Sequence, residues 1–221
     1  MILRKLPLAA AMALIGGVAL FVLGFIVRGW SADEVVTQWF TQSQDTLWGS
    51  IAVGIYMVFA PRWAPVIVIA IAALIAFARR SLRAGLQFGL TVGLTWLPVL
   101  FVKMIIHRPR PVALKLVHPQ LGPPSDWSFP SGHTTIITAL VVTALLYSLA
   151  RHGRPSRWLL VLAPLAIVAI VTTVWTVGVH YPTDTLGSLL WVLLASPFVW
   201  QIVSWALGLR TPQRALPPAR H

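Results

Sequence analysis

Residues 129–150 read FPSGHTTIITALVVTALLYSLA, and this stretch decides the fold class. Apart from His133, the 20 residues from 131 to 150 are apolar or small. As an α-helix they measure about 30 Å, the thickness of the hydrocarbon layer of a bilayer. Ser131 is a residue type that favours the N-cap of a helix. The stretch therefore predicts a membrane-spanning helix whose small polar residues are gathered in its first turn.

Five further apolar stretches resemble this one, and together they predict an all-α integral membrane bundle of six helices. They occupy residues 6–27, 62–78, 85–106, 158–179 and 183–209. The composition agrees, because 57% of the 221 residues are hydrophobic and only 10% are charged, against about 25% charged in soluble domains. The absence of cysteine excludes disulfides, thiolate metal sites and a cysteine nucleophile.

The chain divides into three predicted parts. Residues 1–61 combine an N-terminal anchor helix with an interfacial segment in which acidic and amide side chains alternate with tryptophans. Residues 62–209 form the membrane core. Residues 210–221, rich in Pro, Arg and Ala, are predicted to be a disordered cytoplasmic tail.

The net charge of +12 fits nucleic acid, anionic lipid or a phosphorylated substrate equally well until the positions of the charges are considered. Most Lys and Arg residues fall in the connections on one side of the predicted bundle, and the five acids fall on the other. The positive-inside rule then predicts cytoplasmic termini, and we expect a bacterial inner membrane and no nucleic-acid partner. Topology leaves unexplained the cations Lys103, Arg108 and Arg110 on the outer side.

Those cations lie in residues 103–111, KMIIHRPRP. A lysine at the end of a span often extends its amine to the interface, and Lys103 alone would mean little. The Arg-Pro-Arg-Pro run is more informative, because each proline keeps the preceding arginine out of helical conformation. Two guanidinium groups on a stiff extended segment suit the binding of phosphate oxygens.

A second candidate site is the first turn of the helix that begins near Ser131. The free N–H groups of a helix N-terminus bind anions, and Gly132 lets a ligand approach the backbone closely. His133 lies beside any anion bound there. A purely structural cap explains Ser131 equally well.

The third site is residues 178–184, GVHYPTD. Proline suits the first position of a helix, so Pro182 predicts His180 in the turn and Asp184 in the first helical turn. A carboxylate bonded to one imidazole nitrogen leaves the other free as a nucleophile or base. The three sites are expected to meet at the outer interface, where they would supply phosphoryl transfer without a metal or other cofactor.

The sequence resembles the type 2 phosphatidic acid phosphatase (PAP2) family, the membrane relatives of the vanadium haloperoxidases. The first family motif, a lysine, six residues and Arg-Pro, is met by Lys103 and Arg110-Pro111; the second, Pro-Ser-Gly-His, is met at 130–133. The third motif is Ser-Arg, five residues, His, three residues and Asp. Only its second half is met, by His180 and Asp184, because Thr173 and Val174 occupy the Ser-Arg positions.

The resemblance implies a PAP2-like core with His180 as the nucleophile that forms a phosphohistidine, Asp184 as its orienting carboxylate and His133 as the acid for the leaving oxygen. It also implies that the phosphate is bound by four residues, Lys103, Arg110, Ser131 and Gly132. Arg108 is expected to be an extra contact.

Two functions stay open from the sequence, while a third, a purely structural membrane protein, leaves the matched motifs unexplained. One is a phosphatase acting at the outer membrane face on a lipid phosphate or diphosphate, of the undecaprenyl diphosphate, phosphatidylglycerol phosphate or phosphatidate class. The other is a catalytically weak or inactive protein that binds or transports lipid phosphates, which Val174 favours because a main cation of the phosphate site is missing.

Overall fold

The computed structural model describes residues 2–30, 32–60, 62–111 and 126–209, and the predicted tail at 210–221 lies outside these ranges. Within them the chain is all-helical. The nine helices are α1 (Ile2–Val27), α2 (Glu34–Thr41), α3 (Leu47–Val58), α4 (Ala64–Ala78), α5 (Leu82–Trp96), α6 (Pro98–Ile106), α7 (Gly132–His152), α8 (Arg157–Thr176) and α9 (Pro182–Ala206).

The predicted count of six spanning helices is not confirmed. Five apolar segments of the described chain are long enough to cross a membrane: Leu6–Val27, Leu82–Ile106, Gly132–His152, Arg157–Thr176 and Pro182–Ala206. The stretch predicted at 62–78 forms α4, which has 15 residues and a length of about 22 Å, less than the hydrocarbon thickness of about 30 Å. The chain is nonetheless an integral membrane protein.

Helix α9 lies at the centre of the bundle and packs against α1, α5 and α7. Small residues allow its closest approach to α1, where a Cβ on Gly16 would lie 2.8 Å from the Cβ of Leu194. Phe129 lies where α1 and α9 meet: a Cβ on Gly24 or Gly187 would come within 2.8 or 2.7 Å of its ring. The ring is fully buried, so it fixes the chain just before α7 begins.

The segment predicted to be interfacial folds onto the end of α8. Helices α2 and α3 both pack against α8. Gln44 donates from Nε2 to the backbone oxygen of Thr176 at 2.6 Å, and Trp48 donates from Nε1 to the Thr176 hydroxyl at 2.9 Å. These bonds attach the N-terminal part of the chain to the turn that precedes α9.

The two ends of the bundle carry different residues. At one end, called the site end below, α1 and α6 finish while α7 and α9 begin. Arg108, just after α6, donates a hydrogen bond to the backbone oxygen of Trp30, just after α1. The start of α1 and the end of α9 therefore lie at the opposite end. That end also carries the α4–α5 and α7–α8 connections, with Arg79, Arg80, Arg83, Arg151, Arg154 and Arg157.

Gly187→Ala should destabilise the protein, because the added methyl group meets the buried Phe129 ring at 2.7 Å. Overpacking of this kind typically costs about 1–3 kcal/mol, so the melting temperature in detergent should fall. Gly54→Ala in α3 is the matched control, since nothing lies within 4 Å of its added Cβ. Equal melting temperatures for the two variants would contradict this packing.

Candidate active site

The three segments singled out from the sequence come together at the site end of the bundle. Arg110 donates from Nη1 to the backbone oxygen of Val179 at 2.6 Å. The backbone N–H of Ser131 donates to the oxygen of Asp184 at 3.3 Å, and the Ser188 hydroxyl donates to the Ser131 oxygen at 2.9 Å. The start of α7 is thus bonded directly to the first turn of α9.

His180 and Asp184 form a buried pair at the start of α9. As the sequence predicted, α9 begins at Pro182 and Asp184 lies in its first turn, where Oδ2 accepts the backbone N–H of Tyr181 at 2.9 Å. The same oxygen lies 3.3 Å from Nδ1 of His180. Because a carboxylate accepts, Nδ1 carries the proton and Nε2 keeps its lone pair. Thr37 of α2 donates to the His180 backbone oxygen at 3.0 Å and fixes the turn.

Arg110 lies beside the lone pair of His180, and it shares one carboxylate with Lys103. Nη1 of Arg110 lies 3.4 Å from Nε2 of His180. Nε of Arg110 is 3.2 Å from Oδ1 of Asp126, and Nζ of Lys103 is 3.2 Å from Oδ2 of the same side chain. Lys103 also donates to the backbone oxygen of Trp127. Although burial raises the pKa of Asp126, the charges of Lys103 and Arg110 outweigh it and lower that pKa to about 2.

The first turn of α7 has the geometry of an anion site. The Ser131 hydroxyl caps the helix by accepting the backbone N–H of Thr134 at 3.3 Å, as its N-cap position predicted. Nothing lies within 4 Å of the position of a Cβ on Gly132, so space is open in front of the backbone there. The N–H groups of a helix N-terminus attract negative charge into such space.

His133 lies in this first turn and is 6% exposed. Its ring stacks on Tyr56 of α3, with centroids 4.3 Å apart and an angle of 24° between the planes. In the described part of the chain, Nε2 of His133 is buried and has no hydrogen-bond partner. A buried ring nitrogen without a protein partner is available to exchange a proton with a ligand.

Arg108 differs from its predicted position as an extra phosphate contact. Nη1 donates to Oδ1 of Asp184 and to the Thr183 hydroxyl, both at 2.6 Å. Nη2 donates to Oδ1 of Asp33 at 3.1 Å and to the Trp30 backbone oxygen at 2.9 Å. Arg108 is 1% exposed, and both of its terminal nitrogens are bonded to protein. It therefore holds Asp184 in place and does not extend toward a ligand.

Val174 stands where the family motif has arginine, and it is fully buried. It belongs to an apolar cluster that also contains Val177 and Val179. The neighbouring Thr173 is equally buried. This position therefore contributes packing and no charge, and the cations beside His180 in the described chain are Lys103 and Arg110.

Four residues of the site were not predicted from the sequence to have a role there: Asp33, Thr37, Tyr56 and Asp126. Three of them come from the N-terminal segment, more than 100 positions before His180. Asp33 and Asp126 are two of the five acids of the chain. All five were predicted on the same side of the membrane as the motif cations, and this was the only sequence signal for the two aspartates.

Electrostatics favour a neutral imidazole at position 180. Burial, followed by the positive charges of Arg110, Lys103 and His133, holds the pKa of His180 well below its ordinary value. A neutral ring with Nδ1 protonated is the form that a nitrogen nucleophile needs. In the described residues no group of three or more His, Asp or Glu side chains is arranged to hold a metal ion; the expectation that no cofactor is needed stays a prediction.

Comparison with known proteins shows the family and the fold. The family model of the PAP2 superfamily matches residues 84–207. The chain also resembles a crystal structure of a transmembrane PAP2 type phosphatidylglycerolphosphate phosphatase from Bacillus subtilis, with a TM-score of 0.69 and 22% identity over 92% of this chain and 98% of that one. At this level of identity the resemblance concerns the fold.

Three relatives by sequence are phosphatases by name. Undecaprenyl-diphosphatase BcrC of Bacillus subtilis is 35% identical over 91 residues, which cover 40% of this chain and 42% of the relative. Decaprenylphosphoryl-5-phosphoribose phosphatase of Mycolicibacterium smegmatis is 35% identical over 106 residues, covering 46% and 51%. An undecaprenyl-diphosphatase of Sulfolobus acidocaldarius is 28% identical over 127 residues, covering 44% and 57%. The matches thus span about half the length of these relatives.

Arg110→Gln should raise the pKa of His180 toward its ordinary value, because it removes one of the positive charges that disfavour the imidazolium. Nitrogen NMR of histidine-labelled protein in detergent measures this titration, with the signal assigned through His180→Gln. Arg151→Gln makes the same change at an exposed residue at the opposite end of the bundle and should leave the titration unchanged. An unshifted pKa in Arg110→Gln would contradict the electrostatic description.

Proposed function

Since the chain belongs to the PAP2 superfamily, we propose that it is a membrane phosphatase that hydrolyses a lipid phosphate or lipid diphosphate. The observation that carries the proposal is the environment of His180 Nε2. This nitrogen has a lone pair because Asp184 holds the opposite ring nitrogen, and it lies 3.4 Å from the Arg110 guanidinium. A nucleophile beside cations is the arrangement that phosphoryl transfer requires.

In the first step, Nε2 of His180 attacks the terminal phosphorus, and the bond from that phosphorus to the leaving oxygen breaks. The leaving oxygen belongs to the lipid alcohol, or to the inner phosphate when the substrate is a diphosphate. Lys103, Arg110 and the backbone N–H of Gly132 bind the phosphoryl oxygens and stabilise the developing charge, whereas the N–H of Ser131 is already bonded to the oxygen of Asp184. His133 gives its Nε2 proton to the leaving oxygen. The products of this step are a phosphohistidine and the lipid alcohol, or the lipid monophosphate when the substrate is a diphosphate.

In the second step, water attacks the phosphohistidine, and the bond from phosphorus to nitrogen breaks. Nε2 of His133, left without its proton by the first step, accepts a proton from that water. Inorganic phosphate leaves, and His180 returns to its neutral form with Nδ1 bonded to Asp184. Each residue thus ends in its starting protonation state, so the cycle needs no other reactant than water.

A lipid is the expected substrate because the reacting groups lie at the ends of apolar helices. The tail of a lipid can stay in the bilayer while its phosphate reaches the start of α7 and α9. By name, the sequence relatives act on undecaprenyl diphosphate and on decaprenylphosphoryl-5-phosphoribose. These names favour a polyprenyl substrate over phosphatidylglycerol phosphate or phosphatidate.

The site is proposed to face the outside of a bacterial inner membrane, with both termini in the cytoplasm. Support comes from the arginines in the α4–α5 and α7–α8 connections, which lie at the end of the bundle opposite the site. Basic connections stay in the cytoplasm by the positive-inside rule.

A second candidate function is binding or transport of lipid phosphates without turnover. Val174 favours it, because a buried valine replaces the arginine of the family motif and the site loses a positive charge. The intact set of His133, His180 and Asp184 favours catalysis.

His180→Ala should abolish phosphate release, because no other described histidine pairs a carboxylate on one ring nitrogen with an unprotonated second nitrogen beside Arg110. We expect a loss of about a thousandfold or more, as for other removed nucleophiles. Purified wild-type protein and the variant are assayed in detergent with undecaprenyl diphosphate, undecaprenyl phosphate, phosphatidylglycerol phosphate and phosphatidate.

His152→Ala, at an exposed position near the opposite end of α7, is the matched control and should retain wild-type activity. If folded wild-type protein releases phosphate from none of these lipids but binds one of them, the second candidate function replaces the first. Full activity in His180→Ala would refute the role given to this residue.

A further inference from the structure

Asp126 is a charged residue of the site that the proposed reaction does not use. Its carboxylate lies between the two cations assigned to phosphate, with Oδ2 3.2 Å from Nζ of Lys103 and Oδ1 3.2 Å from Nε of Arg110. Nη2 of Arg110 is bonded to the same Oδ1. Through Arg110 the carboxylate adjoins Nε2 of His180, where a reacting phosphoryl group must lie.

The geometry points to Asp126 as an internal competitor of phosphate: its carboxylate occupies the position of two phosphoryl oxygens and must leave the Lys103–Arg110 pair before any ligand phosphate binds. This inference rests on the proposed function only in taking that pair as the phosphate site. It adds a residue that sets the affinity of the site for both substrate and product.

The burial of the three side chains supports a carboxylate that moves while the cations stay. The side chains of Lys103 and Arg110 are 8% and 10% exposed, whereas that of Asp126 is 50% exposed. A half-exposed carboxylate becomes more hydrated when it moves away from the cations, so its displacement carries no desolvation penalty. The buried Lys103 cannot do the same, because an unpaired buried charge is strongly unfavourable.

A buried ammonium therefore needs a counter-charge in every state of the cycle. Asp126 supplies it before substrate binds and again after inorganic phosphate leaves. Its low pKa, about 2, means that the carboxylate is charged whenever the site is empty. Because the returning carboxylate replaces the phosphate on the cations, it weakens product binding and favours release.

Competition of this kind has a quantitative signature. The free energy needed to move Asp126 away is the same for every ligand that follows, so all ligands lose affinity by one common factor. If Asp126 instead stayed in place beside the ligand, its charge would repel a dianion more than a monoanion. The two situations are distinguished by small phosphate esters that differ in charge.

The test uses methyl phosphate, a dianion near neutral pH, and dimethyl phosphate, a monoanion, titrated calorimetrically into purified protein in detergent. Removal of the competitor in Asp126→Asn should tighten binding of both ligands by the same factor, about tenfold or more, which corresponds to about 1.4 kcal/mol. Asp126→Glu keeps the charge and should keep affinities near those of the wild type. Asp45→Asn, the same change at an exposed acid between α2 and α3, should change neither affinity.

Other results overturn the inference. Unchanged affinities in Asp126→Asn would mean that the carboxylate does not compete, and a larger gain for methyl phosphate would mean that it stays beside the ligand. If Asp126→Asn unfolds when purified without phosphate, added inorganic phosphate should restore its melting temperature by replacing the counter-charge. Failure to fold in both buffers would make Asp126 a structural residue. These binding results are independent of turnover, so they stand apart from the phosphate-release assay of the proposed function.

Discussion

The site depends on the buried ion pair between Arg108 and Asp184. Their atoms Nη1 and Oδ1 lie 2.6 Å apart, and the two side chains are 1% and 0% exposed. Removing one partner of such a pair leaves an uncompensated buried charge and typically costs about 3–5 kcal/mol. Because Asp184 also holds Nδ1 of His180, the orientation of the proposed nucleophile depends on this pair.

The same guanidinium joins its own segment after α6 to two distant parts of the chain, the α1–α2 connection and the first turn of α9. It bonds Asp33 ahead of α2 and the Trp30 backbone oxygen after α1, in addition to the first turn of α9. Asp33 in turn accepts the backbone N–H of Thr183 at 3.0 Å and its hydroxyl at 2.6 Å. These bonds are a physical reason for the N-terminal segment to fold over the site, although that segment lies outside the residues matched by the family model.

Local patterns were sufficient to predict which segments meet. Charged side chains are kept near the ends of membrane-spanning helices, so three charged ends on one side of the bundle were expected to converge. Lys103, Arg110 and His133 do lie close enough to His180 for their charges to lower its pKa. The number of spans was harder to predict, because α4 is as apolar as its neighbours and differs only in the few residues by which it falls short of the bilayer thickness.

The roles of the two arginines could not be predicted from the sequence. Arg108 and Arg110 each precede a proline and have the same side chain. In an extended segment, residues two apart often point the same way, yet here one contacts Asp184 and the other contacts Asp126 and His180. Only the tertiary positions of the partners determine this difference. The same holds for Tyr56, whose stacking on His133 joins residues far apart in sequence.

The central claim is that His180 carries the phosphoryl group, and a rapid-quench experiment with a substrate labelled in its phosphate tests it most directly. Protein quenched under alkaline conditions, which preserve phosphohistidine, is digested and its labelled peptide is identified by mass spectrometry. We expect a single acid-labile phosphoryl group on His180, with more of it in His133→Ala when the leaving group is good. Phosphate release from the wild type without label on His180, or with label on another residue, would exclude His180 as the carrier.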